Sequence, residues 1–230
     1  MTLTEDESLN ILSLRIQAKI PTSFFRFGDG QIQAILGCSG NNCDGELYTK
    51  ELGENLHRVA KDALQNEKAF VGDYGAIIER EKAPYMDEWN HLSKDRKAML
   101  IHYECPLLMR KSAALLNFYK TIKEDKRKKA FLGPIQNIDA TKILDAEYIE
   151  YPRHYKYLSE IDNILKDKDF DVLISGAGMG SAIPIYDDWV KHPERTYINV
   201  GSAFDPVFSG HTRSYQLDMK QARDFFSELL

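Results

Sequence analysis

The sequence predicts an α/β fold, a mostly parallel sheet with helices on both faces, in a single domain over residues 1–230. Three observations predict it. Short segments such as "SFFRF", "KAFLG", "DVLIS" and "TYINVG" alternate with helical stretches along the chain. These segments are mostly apolar throughout, as strands of a parallel sheet covered on both faces are. No internal repeat, low-complexity segment or Pro/Ser-rich linker divides the chain.

The elements follow in order. Residues 7–19 place Leu9, Leu12, Leu14 and Ile16 on a helical period, with Ile20 just beyond and Pro21 closing the helix. "SFFRF" is a strand, and "QIQAIL" after the glycines starts a helix. Residues 38–50, dense in Gly, Asn, Asp and Ser, form a loop. Residues 51–66 are helical, with Leu52, Leu56, Val59, Ala60 and Ala63 on one face. "KAFVGDYG" is a strand and then a turn. Residues 83–102 fit no single pattern; Tyr85 and Trp89 there suit a core or a site alike. A helix is expected over 106–119, running on into the charged "KTIKEDKRKK". "KAFLG" is a strand, "NIDATKIL" a short helix capped by Asn137 or Asp139, and "AEYIEYP" a strand. Residues 155–165 read as a helix, "DVLIS" as a strand, and 181–191 as a helix holding Pro184 in its first turn, where proline is tolerated. "TYINVG" is the last strand.

Composition narrows the function. Of 230 residues, 43% are hydrophobic and 28% charged, an ordinary globular balance with length enough for a substantial core. A net charge of −5 argues against a surface built to grip nucleic acid. No apolar run is long enough to span a bilayer, and "MTLTEDESLN" is unlike a signal peptide, so no stable membrane insertion and a cytoplasmic setting are expected. Cys38, Cys43 and Cys105 make neither a disulfide framework nor a zinc site.

Three constellations carry possible chemistry. In "RFGDG" two glycines at a strand end let backbone approach a ligand, while Asp29 offers a hard oxygen to Mg²⁺ or Mn²⁺. Arg26 can face a phosphate or pair with Asp29; a plain turn with Asp29 capping the next helix accounts for the same residues. In "DVLISGAGMGSAIPIYDDW" a strand runs into Gly176, Gly178 and Gly180, with a helix beginning near Ser181. That turn suits a phosphate, although its spacing is G-x-G-x-G, and tight strand–helix packing explains it equally. In "NVGSAFDPVFSGHTRSYQ", Asp205, His211 and Arg213 bring an acid, a base and a cation to one stretch, which reads also as an ordinary surface loop. "YPRHYKY" adds aromatics with Arg153, a further phosphate-binding candidate beside its helix-start reading.

Taken in order, an early "RFGDG" after an N-terminal helix, "KAFLGP" with its following strand, then "VLISGAGMGSAIPIYDDW" and "YINVG", the chain resembles the GT-D-type glycosyltransferases. The resemblance runs over roughly 24–205, and "RFGDG" is its diagnostic part. It implies one Rossmann-like domain acting on a sugar nucleotide, typically a UDP-sugar, with a divalent cation. Of the family signature R-x-G-D-G-E, Arg26, Gly28, Asp29 and Gly30 match, while Gln31 stands where the family has Glu. Gln31 can coordinate or hydrogen-bond but brings no negative charge to a cation. Ser202 stands where members often carry His, and His211 is a candidate to replace it. The resemblance implies Asp29 as the metal and donor residue and Arg26, Gly28, Gly30 and Gln31 as donor contacts. Asp205, with His211 behind it, would deprotonate or orient the acceptor hydroxyl.

The acceptor is left open among a glycan, a small molecule and a modified DNA base, and a homodimer through the aromatics around Tyr85 and Trp89 is one possible assembly. Two other readings stand beside glycosyl transfer. One is an NAD- or SAM-dependent Rossmann enzyme built on the 176–180 turn, and the other a sugar-nucleotide-binding protein without turnover.

Overall fold

The computed structural model describes residues 3–42, 45–74, 85–152, 157–208 and 216–229. Among them, seven strands form one sheet: β1 (Ser23–Phe25), β2 (Ala69–Asp73), β3 (Met99–His102), β4 (Lys129–Gly133), β5 (Glu147–Glu150), β6 (Val172–Ser175) and β7 (Thr196–Asn199). Their order is β3-β2-β1-β7-β6-β4-β5, and every neighbouring pair is parallel. The fold is α/β and Rossmann-like.

The alternation of side chains along each strand sorts the core into two halves. Phe24, Phe70, Phe131, Val172, Ile174 and Ile198 point to one face. There they meet α1 (Glu5–Gln17), α5 (Ala113–Glu124), α6 (Ala140–Leu144), α8 (Asp205–Phe208) and α9 (Met219–Ser227). Phe25, Val71, Ala130, Leu132, Leu173 and Tyr197 point to the other face. That face is covered by α2 (Asp29–Ile35), α3 (Lys50–Leu64), α4 (Met86–Ser93) and α7 (Ala182–Lys191). Each large apolar side chain fully buried in this way contributes about 1.5–3 kcal/mol. Both faces being covered is why the strands read as continuous apolar runs.

Local chemistry sets the helix starts. Thr4 and Glu7 form a capping box on α1, Thr49 caps α3 through the Leu52 N–H, and Ser112 caps α5 through the Leu115 N–H.

Several elements depart from the sequence expectation. The unassigned 83–102 stretch contains α4 and the edge strand β3 within its described part. The helix expected over 106–119 begins only at Ala113, because Ser112 supplies the cap and Tyr119 Oη donates to the Pro106 carbonyl of the preceding irregular segment. No α-helix forms over 157–165: a 3₁₀ turn, Leu158–Glu160, is followed by further turns that bury Leu158, Ile161 and Leu165. Asp139 precedes α6 without a side-chain cap, and Asn137 is drawn inward to Asp205 instead. Helix α9, capped by Asp218, was not anticipated. No helix among the described residues is long and apolar enough to cross a membrane.

Topology places the site. Strands β1–β3 build outward from the middle of the sheet in one direction, and β7, β6, β4 and β5 lie on the other side of β1. Ligands of open parallel sheets bind at the carboxyl edge where the strand order reverses. Here that point is the β1/β7 junction.

Candidate functional site

The loops leaving the carboxyl ends of β1, β3, β4, β5, β6 and β7 line one cleft of about 280 Å³. It lies over the β1/β7 junction, just under the usual range for small-molecule sites of roughly 300–1,000 Å³. Arg26, Gly28, Asp29, Gly30 and Gln31 come from the segment after β1, Gly176 and Gly178 from the loop after β6, and Asp205 from the segment after β7. The structure thus brings these sequence-predicted residues together. Ser181 is elsewhere: it is buried, and its hydroxyl donates to the Gly178 carbonyl at 2.7 Å. Arg153, His211 and Arg213 lie outside the described residues.

Arg26 is the buried cation of the cleft among the described residues, 5% exposed. Its Nε–H donates to the Tyr103 carbonyl at 2.7 Å, and its guanidinium stacks 4.2 Å from the Tyr103 ring centre. Gly201, with φ +54°, turns the chain beside it: a Cβ there would run into Arg26 Nη1. The same ring explains Gly28, whose Cβ would meet Tyr103 Oη. The Arg26 Nη groups have no protein acceptor among the described residues and border the cleft. Arg26 does not pair with Asp29.

Asp29 opens α2, half-buried, with Oδ1 accepting the Gly30 N–H at 3.1 Å. Gln31 is bonded at both ends of its amide. Oε1 accepts the Gly28 N–H at 2.9 Å and Nε2 donates to the Met179 carbonyl at 3.3 Å, so one side chain joins the β1 turn to the β6 turn.

The β6 turn holds a residue the sequence reading missed. Glu46, 1% exposed, accepts the Met179 N–H at 2.7 Å, Asn42 Nδ2–H at 3.1 Å and Tyr151 Oη–H at 3.2 Å. A Cβ on Gly178 would collide with its carboxylate. In the sequence Glu46 is one acid in a polar loop, with nothing to set it apart from Asp44. Tyr103 and Tyr151 were also missed as cleft residues, since each acts through a contact far along the chain.

Asp205 is 7% exposed at the start of α8, where Asn137 Nδ2–H donates to its Oδ1 at 2.8 Å. Asn137 Oδ1 is buried and has no hydrogen-bond partner among the described residues. Burial pushes the Cys105 thiol up, disfavouring its thiolate. Burial lowers the His102 pKa at the end of β3, against smaller raising effects of Glu5 and Asp73.

Among the described residues, no three His, Cys, Asp or Glu side chains gather in a way that would hold a metal ion. The Gln31 amide is engaged with backbone at both ends. Asp29 is the carboxylate of the first turn, and one carboxylate suits a cation that arrives with a substrate's phosphates, as Mg²⁺ commonly does.

A solved structure titled "Selenomethionine substituted structure of domain of unknown function 1792 (DUF1792)" matches this fold with a TM-score of 0.56. The likeness is one of fold. The two sequences are 17% identical, over 86% of this chain and 82% of that one. No protein-family model and no curated protein matches the chain.

Proposed function

We propose that this protein is a glycosyltransferase, moving a sugar from a nucleotide-sugar donor, a UDP-sugar first, to an acceptor hydroxyl. The observation that carries the reading is Arg26. It is a buried guanidinium with Nη donors left for a ligand, next to a Gly-Asp-Gly turn at the switch point of a parallel sheet. Such a cation favours a diphosphate, and favours it more as charge builds on it during departure.

In the reaction the bond between the sugar's anomeric carbon and the diphosphate oxygen breaks, and a bond to the acceptor oxygen forms. Arg26 would hold the departing diphosphate. Gly28 and Gly30 would let the backbone come close to it. Asp205, nearly buried and oriented by Asn137, would take the acceptor proton, with His211 as the further candidate base. Asp29 would hold a divalent cation together with the diphosphate oxygens, where Mg²⁺ or Mn²⁺ adds positive charge to the leaving group.

The NAD- or SAM-binding alternative built on the 176–180 turn finds less support. The Met179 N–H, which a phosphate there would need, already serves Glu46.

Thermal-shift and calorimetric titration of UDP, UDP-glucose, GDP, NAD⁺ and SAM, with and without Mn²⁺, tests the reading. A ligand at a hundred times its Kd adds about 2.7 kcal/mol to stability. UDP or UDP-glucose should stabilise the protein, more so with Mn²⁺. Asp29→Ala should remove the Mn²⁺ increment, and Arg26→Met should remove most of the UDP signal. Stabilisation by NAD⁺ or SAM alone, indifferent to both substitutions, would refute the proposal.

A further inference from the structure

Two glycine turns border the cleft, and they differ in what already fills them. At the β1 turn the Gly28 and Gly30 N–H groups serve Gln31 and Asp29, and it is Arg26 whose Nη donors are left for a ligand. At the β6 turn the Glu46 carboxylate lies against Gly178 and accepts the Met179 N–H. That N–H belongs to the first residue of the helical stretch formed by Met179–Ser181 and α7, the position an oxyanion takes at a helix N-terminus. Tyr151 and Asn42 also donate to the carboxylate, so a competing anion would have to displace a buried, hydrogen-bonded charge of its own sign.

We infer that Glu46 is a positioning residue acting as an internal anion: by filling the phosphate position of the β6 turn it keeps that position closed, so that a diphosphate is directed to Arg26. The destination of the diphosphate rests on the proposed function, whereas the closure applies to any phosphoryl anion. Gln31 completes the arrangement. By accepting the Gly28 N–H and donating to the Met179 carbonyl, while Glu46 takes the Met179 N–H, it ties the β1 turn to the β6 turn through a single residue.

The test is a titration of inorganic pyrophosphate into ¹⁵N-labelled protein, following backbone amide shifts in wild type, Glu46→Gln and Glu46→Ala. In wild type the Gly28 and Gly30 amides should move while Met179 stays still, and Arg26→Met should abolish the response. Glu46→Gln keeps the volume and an acceptor, so Met179 should again stay still. Glu46→Ala opens the turn: Met179 should now move, even when Arg26→Met is added. Formate, which can refill the vacated carboxylate position, should suppress that new response.

Movement of Met179 in wild type matching that of Gly28 would overturn the inference, as would a still Met179 in folded Glu46→Ala. If Glu46→Ala does not fold, wild type and Glu46→Gln decide: a still Met179 in both supports the closure, and movement in either overturns it. If pyrophosphate leaves the β1 turn unmoved in wild type, the proposed diphosphate site fails, while a response of Met179 in Glu46→Ala still supports the internal anion.

Discussion

Replacing Gln31 by Glu would complete the R-x-G-D-G-E pattern that the sequence resembles, yet the structure predicts that it destabilises the metal-free protein. Oε1 of Gln31 accepts from Gly28 N–H, and a glutamate would keep that bond. Nε2 donates to the Met179 carbonyl at 3.3 Å, and a glutamate would place an acceptor there instead. Met179 is 4% exposed, so water is poorly placed to substitute. A lost hydrogen bond costs about 0.5–1.5 kcal/mol, and an acceptor left without a donor about 1–3 kcal/mol, so a loss of about 2 kcal/mol is expected. For a chain of this length that corresponds to a fall in Tm of roughly 4–8 °C. Differential scanning calorimetry in chelator-treated buffer reads it directly. Gln31→Met, which loses both bonds at similar volume, is the comparison. Adding Mn²⁺ should recover stability in Gln31→Glu alone, because only that variant gains a carboxylate beside Asp29. If Gln31→Glu melts with or above wild type in the absence of divalent ions, the bridging role of Gln31 is refuted.

Two other perturbations probe the same edge of the sheet. Gly201→Ala forces an L-residue into φ +54° and drives its Cβ into Arg26. The conformational part costs about 1–2 kcal/mol. Calorimetry should also find weakened UDP binding, whereas Gly37→Ala, at φ +71° with open space around it, should lose stability alone. His102 has a folded pKa below its ordinary 6.5, chiefly through burial, so the unfolded chain binds the proton first as pH falls. Stability should therefore decline as pH drops from 6.5 through the lowered value. His102→Gln should flatten that part of the Tm–pH profile, and an unchanged slope would contradict the assignment.

The sequence by itself determined the α/β class, because strands buried on both faces must be apolar throughout and the helices between them must each offer an apolar stripe. It also placed the "RFGDG" turn and the 176–178 glycines at strand ends, since a strand running into glycine is a local pattern. Local signals failed where the deciding partner was elsewhere. Edge strand β3, with Met99 half-exposed, carries no buried apolar run. The 157–165 stretch has helix-like composition, with Leu158, Ile161 and Leu165 buried at helical spacing, yet it forms a 3₁₀ turn followed by further turns. The working contacts of the site are decided only in three dimensions. Arg26 meets Tyr103 from 77 residues away, Asn137 meets Asp205 from 68, Glu46 meets Met179 from 133, and Gln31 meets Met179 from 148. A hydrogen bond between residues so far apart leaves no periodicity in either segment. Only the packing of parallel strands, which gathers every carboxyl-end loop at one edge, brings these partners together.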